Sequence, residues 1–130
     1  MGFNELKKYL KKDFTGLPVI KIAVLSDSAS QLFCQALKGY GYSQGVHLDI
    51  WEADYNQVYQ TVSDEHSLLY SSTPDYVIIF QSSKKLLSHF YQKNTGQKRK
   101  FAEEQLAFVE KITDTINTRI KDSIVYFGII

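Results

Sequence analysis

The chain has 130 residues, of which 44% are hydrophobic and 22% charged, and this composition predicts one globular domain with a hydrophobic core. Lysine and arginine number 15 against 14 aspartates and glutamates, so the chain lacks the basic excess of a nucleic-acid-binding protein. A single cysteine, Cys34, excludes an internal disulfide, and the sequence shows neither a signal peptide nor an apolar stretch long enough for a membrane span. We therefore expect a cytoplasmic protein with no nucleic-acid partner and no membrane partner.

The first third of the chain predicts helices and strands in alternation. An amphipathic helix is expected over residues 3–12, followed by a strand over 19–25 whose near-continuous apolar character indicates burial on both faces. Apolar residues at helical spacing then predict a second helix, which we expect to end at Gly39 and Gly41. Residues 46–52 alternate between apolar and polar, which is typical of a strand at the edge of a sheet.

The remaining chain continues the alternation. Three short helices are predicted, over residues 56–63, 66–72 and 84–92. Two apolar segments predict a central strand over 76–81 and a fourth buried strand over 123–130. Residues 93–100 are interpreted as a polar, basic loop, and a long helix is expected from residue 98 or 101 to residue 121.

This order of elements predicts the architecture. Strands alternating with helices favour right-handed crossovers and a parallel sheet, so we expect a three-layer α/β/α domain with four strands in the order 2-1-3-4. Residues 1–130 form a single α/β domain in this interpretation. Because the sequence stops within an apolar strand, we expect it to be the amino-terminal part of a longer protein.

Polar residues follow three of the predicted strands. The carboxyl ends of parallel strands meet at one edge of the sheet, where such folds place their ligands. Short polar side chains and the amides of helix starts suit an oxyanion, a carboxylate or a phosphate. The candidate site residues are Asp27, Ser28, Ser30, Tyr55, Asn56, Gln81, Ser82 and Ser83.

Several functions at this edge are excluded, but the role of Ser28 stays open. The sequence contains neither G-x-G-x-x-G nor G-x-x-x-x-G-K-[ST], so a dinucleotide fingerprint and a P-loop are absent. A phosphorylated receiver site needs an acidic pair after the first strand, and only Asp27 is available. Three roles are open for Ser28: a nucleophile, a binding group or merely a helix cap. The last is an alternative because serine and aspartate are favoured at the N-cap of helices.

The stretch LSDSAS at residues 25–30 resembles the Gly-Asp-Ser block of SGNH (GDSL-type) esterases, with Ser26 in place of the glycine. The segment IWEADYNQVYQTVSDEHSLLYSSTPDYVIIF, together with the first strand, is similar to the amino-terminal domain of FkbH-like proteins of the HAD superfamily, subfamily IIIC. The likeness covers roughly residues 19–90, and it implies an SGNH- or flavodoxin-like fold ahead of a HAD domain.

The SGNH resemblance implies roles for three residues. Ser28 would be the nucleophile, with Asn56 and Gln81 as donors to an oxyanion, while the other candidates would bind ligand. Asn56 stands where the family's second block has glycine, and Gln81-Ser82-Ser83 replaces its Gly-x-Asn-Asp block. The Asp-x-x-His block is absent, so no base for Ser28 is identified; of the three histidines, His89 is the preferred candidate because it lies only a turn or two beyond Ser83.

Three functions remain open from the sequence. The resemblance implies an enzyme domain that handles an acyl or glyceryl group, by acyl transfer to a carrier protein or by ester hydrolysis, in a setting such as polyketide biosynthesis. The alternative is a non-catalytic module that holds a carboxylate, a phosphate or a pantetheine arm for the HAD domain. A purely structural domain is the third. The implied partners are a small acyl or phosphorylated substrate, an acyl-carrier protein and the HAD domain. No metal or cofactor is expected in this chain, whereas a HAD partner would use Mg.

Overall fold

The computed structural model describes residues 2–11 and 16–130. Its centre is a parallel sheet in the order β2-β1-β3-β4, which confirms the predicted topology. The strands are β1 (Val19–Ser26), β2 (His47–Glu52), β3 (Tyr76–Gln81) and β4 (Ile124–Ile129). The helices are α1 (Phe3–Tyr9), α2 (Gln31–Ser43), α3 (Val58–Ser63), α4 (Leu68–Ser71), α5 (Ser83–Tyr91) and α6 (Thr95–Arg119). The predicted helix over residues 3–12 thus ends earlier, and its last residue lies outside the described residues.

Helices cover both faces of the sheet. On one face, β1 and β3 bury side chains such as Leu25 and Ile79 against α3, α4 and α6, where Leu69 and Ile116 are fully buried. On the other face, α2 covers β1 and β2 through a smaller cluster centred on Val24. The two clusters lie on opposite sides because successive side chains of a strand alternate between faces.

The register of the strands brings the site loops to one level. Val24 pairs with Glu52 on one side and with Ile78 on the other, and Ser26 pairs with Phe80. The loops after β1, β2 and β3 therefore begin within a residue or two of each other at the same edge. This is the arrangement that the candidate site requires.

The fourth strand is less buried than we expected. Only one face of β4 packs against the core, through Val125 and Phe127. On the opposite face Ile124 is 50% exposed and Tyr126 is 57% exposed. The prediction of a fully buried strand over 123–130 is wrong for this reason.

The predicted basic loop over 93–100 is mostly helix. Helix α6 begins at Thr95, where the Asn94 side chain accepts a hydrogen bond from the amide of Gln97 and the Gln97 side chain accepts one from the amide of Asn94. This reciprocal capping box satisfies two backbone donors and starts the helix upstream of its first apolar residue.

The two glycines predicted to end the second helix lie inside it. Helix α2 continues to Ser43, and the chain then turns at Gly45, which has a φ of 77°. Gly39 and Gly41 are both buried. A Cβ added at Gly39 would lie 2.2 Å from the backbone oxygen of Leu6, and one added at Gly41 would lie 2.6 Å from Cγ of Leu48. These glycines therefore permit close packing of α2 against α1 and β2.

Candidate functional site

The loop after β1 is organised by Ser26. This residue is only 4% exposed, and its hydroxyl accepts a hydrogen bond from the amide of Ser28 at 3.1 Å. The hydroxyl oxygens of Ser26 and Ser28 are 3.2 Å apart, within hydrogen-bond distance. The position at which the esterase block has glycine thus holds a buried serine that fixes the turn bearing Ser28.

Asp27 and Lys85 connect the three loops. The carboxylate of Asp27 accepts a hydrogen bond of 2.8 Å from the amide of Ser82, after β3. The ammonium of Lys85 donates to the backbone oxygen of Asp27 and, at 2.9 Å, to the hydroxyl of Tyr55, after β2. The ammonium also lies 4.7 Å from the centre of the Tyr55 ring. One lysine on α5 therefore holds the loops after β1 and β2 together.

A cavity of about 300 Å³ opens beside these loops, and we call it the end pocket. Three of the predicted site residues line it, namely Asp27, Asn56 and Gln81. His89 lines it as well, together with apolar groups such as Phe108. The structure thus brings side chains from all three loops into one cavity, next to a histidine.

Ser28 does not line the end pocket. It is half-buried one residue beyond Asp27, and within residues 2–11 and 16–130 the hydrogen bonds of its hydroxyl and amide go to Ser26. The other two histidines lie elsewhere: the ring of His47 is 5.5 Å from that of Tyr42, and His66 is exposed.

Asn56 adopts a backbone conformation that explains its residue type. Its φ of 56° lies in the left-handed region, which glycine and asparagine adopt more readily than other residues. Its amide donates to the backbone oxygen of Ser26 at 3.1 Å and so joins the loops after β1 and β2. Asparagine therefore suits this turn and adds a carboxamide.

The remaining predicted residues make structural hydrogen bonds outside the end pocket. The hydroxyl of Ser30 donates to the Glu52 carboxylate at 2.7 Å. The Ser82 hydroxyl caps α5 by accepting from the amide of Lys85 at 3.3 Å. The amide of Ser83 donates to the backbone oxygen of Ile130 at 2.7 Å.

Sequence reasoning missed Glu52 and Lys85. Alternation along β2 places Glu52 on the inner face after Leu48 and Ile50, and a carboxylate at such a position is a signal that could have been noticed. Its oxygen accepts hydrogen bonds from the hydroxyl of Ser30 and from the thiol of Cys34, the latter at 3.3 Å. Burial, and then the Glu52 carboxylate, raise the pKa of Cys34 to about 12.

The described part of the chain contains neither a cluster of metal ligands nor a membrane-spanning helix. Residues 2–11 and 16–130 contain no group of three or more His, Cys, Asp or Glu side chains that could hold a metal ion. Within the same ranges, every helix is too short or too polar to cross a lipid bilayer.

The sheet order and the end pocket define an α/β domain with a polar cavity beyond the carboxyl ends of its strands. The chain belongs to the family of the FkbH N-terminal domain, whose model matches residues 21–129. No curated protein matches it.

A solved structure gives the same fold. It is a crystal structure of the N-terminal part of the protein BF1531 from Bacteroides fragilis, containing a phosphatase domain and complexed with Mg. The two are 36% identical with a TM-score of 0.88, over 98% of this chain and 32% of that one. This chain therefore spans about a third of the length of the structure that it resembles.

Proposed function

We propose that this chain is the SGNH-like domain of an FkbH-type enzyme of HAD subfamily IIIC, and that its end pocket binds an acyl or glyceryl group. The observation that carries the proposal is the convergence of Asp27, Asn56, Gln81 and His89 on one cavity. Membership of the FkbH N-terminal family supports the same conclusion. The phosphatase domain in the similar structure supports a HAD partner that uses Mg.

The chemistry of the end pocket suits a small, oxygen-rich group. The carboxamides of Asn56 and Gln81 can donate to a carbonyl or carboxylate oxygen, and the second oxygen of the Asp27 carboxylate can accept from a hydroxyl. His89 can donate to a carboxylate or a phosphate. Phe108 offers an apolar wall. A volume of about 300 Å³ is at the lower end for ligand pockets, which favours a group of glyceryl size over a long acyl chain.

Non-covalent binding is the mode that the geometry supports best. A serine nucleophile needs a base for its proton, and the Ser28 hydroxyl is instead within hydrogen-bond distance of the Ser26 hydroxyl. The domain would then hold the group for a reaction carried out on the HAD domain or on a carrier protein.

Covalent transfer through Ser28 is the second candidate. The position of Ser28 directly after β1, beside the pocket residue Asp27, favours it. Its hydroxyl oxygen would attack the acyl carbonyl and pass its proton to a base such as His89, and the alcohol or thiol that carried the acyl group would leave. The carboxamides of Asn56 and Gln81 would donate to the oxyanion.

Binding of glycerate and 3-phosphoglycerate, measured by calorimetry, tests the proposal. Asn56→Gly removes the carboxamide while glycine keeps the left-handed turn, and we expect about fivefold weaker binding from the loss of one hydrogen bond. Gln81→Ala should act similarly, whereas Gln92→Ala, an exposed glutamine after α5, is the matched control. Failure of both compounds to bind, or equal effects of Gln81→Ala and Gln92→Ala, would refute the assignment.

A fluorophosphonate probe separates the two modes. Non-covalent binding predicts no labelling of Ser28, and unchanged affinity for glycerate in Ser28→Ala. Labelling that Ser28→Ala abolishes would establish the covalent mode instead.

A further inference from the structure

A second and larger cavity lies between α1, α2 and β2, and we call it the helix groove. Its volume is about 650 Å³, within the usual range for sites that bind small molecules. It lies on the face of the sheet covered by α2, whereas the end pocket includes Phe108 of α6 from the opposite face. None of the residues proposed above for glyceryl binding lines it.

Close packing of helices forms the walls of the groove. Helix α1 approaches α2 so closely at Gly39 that an added Cβ would lie 2.2 Å from the backbone oxygen of Leu6. Beyond this contact, the side chains of Lys7, Leu10 and Lys11 form one wall, while Lys38 of α2 lies opposite. The contact at Gly39 therefore sets how closely α1 and α2 approach beside the groove.

Positive charge dominates the lining. Lys7, Lys11 and Lys38 face a single carboxylate, that of Glu52. Within residues 2–11 and 16–130, none of the three lysines forms a salt bridge with a carboxylate. The ammonium of Lys7 lies 5.6 Å from the centre of the Phe3 ring, a contact that brings no negative charge to it.

The one carboxylate is already engaged. Glu52 accepts hydrogen bonds from the Ser30 hydroxyl at 2.7 Å and from the Cys34 thiol at 3.3 Å. Both donors belong to the protein and reach the same oxygen, Oε2, so the carboxylate is held toward Ser30 and Cys34, and its single negative charge is outnumbered by the three lysines. Apolar groups from Leu10 and Ile50 complete the lining.

We propose that the helix groove binds a small organic anion, a carboxylate or phosphate ester with an apolar body. The lysines hold its charged group, and its apolar body contacts Leu10 and Ile50. Binding is non-covalent, because burial and Glu52 raise the pKa of the Cys34 thiol to about 12 and keep it protonated. This site does not depend on the function proposed for the end pocket.

Titration of the protein with phenyl phosphate, followed by ¹H–¹⁵N NMR, tests the proposal. We expect saturable shifts of the amides of Lys7, Cys34 and Lys38, and weaker binding at higher salt. Inorganic phosphate lacks the apolar body and benzyl alcohol lacks the charge, so both should bind more weakly. Saturable shifts at Asp27, Asn56 and Gln81 alone would assign the compound to the end pocket and overturn the proposal.

Variants localise the effect. Lys38→Met should weaken binding of phenyl phosphate by about two- to fivefold, as expected for one solvated ion pair, and Lys38→Arg should retain it. Lys100→Met is the matched control, since Lys100 is exposed on α6, which packs on the other face of the sheet. The absence of shifts at the groove, or equal weakening by Lys38→Met and Lys100→Met, would overturn the proposal.

Discussion

The two cavities of this domain are bordered by different kinds of contact. Hydrogen bonds between loops shape the end pocket: Asp27 accepts from the Ser82 amide, and Lys85 donates to Asp27 and to Tyr55. The helix groove depends instead on the close approach of two backbones at Gly39. We therefore expect the end pocket to change when polar atoms are removed, and the helix groove to change when side-chain volume is added.

The two cavities also differ in the polar groups that line them. In the end pocket, polar side chains of Asn56, Gln81 and His89 line the open space, where a ligand can reach them. In the helix groove, three lysines line the space together with one carboxylate, Glu52, which accepts hydrogen bonds from Ser30 and Cys34. The two proposals therefore rest on different interactions, namely hydrogen bonding in the end pocket and charge in the helix groove.

The largest effect is expected for the reactivity of Cys34. Burial and Glu52 raise its pKa from an ordinary 9.0 to about 12, so at pH 8 its thiolate fraction falls about a thousandfold. The folded protein should react with iodoacetamide slower by about this factor than the urea-unfolded chain, and the rate should keep rising with pH well above 9. Glu52→Gln should speed the reaction, because it removes the negative charge beside the thiol.

If steric protection of Cys34 alone slowed the reaction, the rate would level off near pH 9. Glu65→Gln, at an exposed residue, is the control and should leave the rate unchanged. A rate that levels off near pH 9, or one that Glu52→Gln does not increase, would contradict the prediction.

A smaller effect is expected from filling the contact between α1 and α2. In Gly39→Ala the new methyl group meets the backbone of Leu6, which has to move, and we expect the free energy of unfolding to fall by about 1–3 kcal/mol. Gly96→Ala is the matched control within a helix: its methyl group lies 3.6 Å from the nearest atom, so it should stabilise the protein by about 0.5–1 kcal/mol. Urea unfolding measures both, and effects of the same sign would show that packing does not form the groove wall.

The smallest effect is expected from Lys85→Met, which keeps the apolar stem and removes the ammonium. The protein should lose about 0.5–1 kcal/mol of stability with the hydrogen bonds to Asp27 and Tyr55, and glycerate should bind more weakly as the loops separate. Lys84→Met, at the exposed neighbouring residue, should change neither quantity. Equal urea unfolding curves and equal glycerate affinities for the two variants would show that Lys85 does not hold the loops.

The topology could be predicted because it depends on local patterns. Apolar runs at 19–25 and 76–81 marked the inner strands, and the alternation at 46–52 marked an edge strand. Strand β4 was misjudged because its apolar residues, such as Tyr126, do not reveal which face a helix covers. That depends on the packing of the whole sheet.

The predicted start of α6 and the predicted end of α2 were wrong for two different physical reasons. The start of α6 is polar, and its signal was the capping box of Asn94 and Gln97 rather than an apolar periodicity. Gly39 and Gly41 usually suggest a helix end, but here they serve contacts with other elements that the sequence does not show.

The site was predicted at the level of loops and less well at the level of residues. Asp27, Asn56 and Gln81 line one cavity, as expected for residues at the ends of neighbouring parallel strands. Ser30, at the start of α2, donates a hydrogen bond to Glu52 of β2, which lies 22 positions further along the chain. Such long-range pairs decide which polar residues face a ligand and which support the fold.

The sole tryptophan, Trp51, lies on β2, so the tryptophan fluorescence of the protein comes from this strand. Trp51 follows Ile50 and precedes Glu52, which both line the helix groove, while its own ring packs on the opposite face against the larger core cluster. Its intrinsic emission therefore comes from one known position between the two layers of helices. Shifts in that emission can follow denaturation of the core without any attached dye.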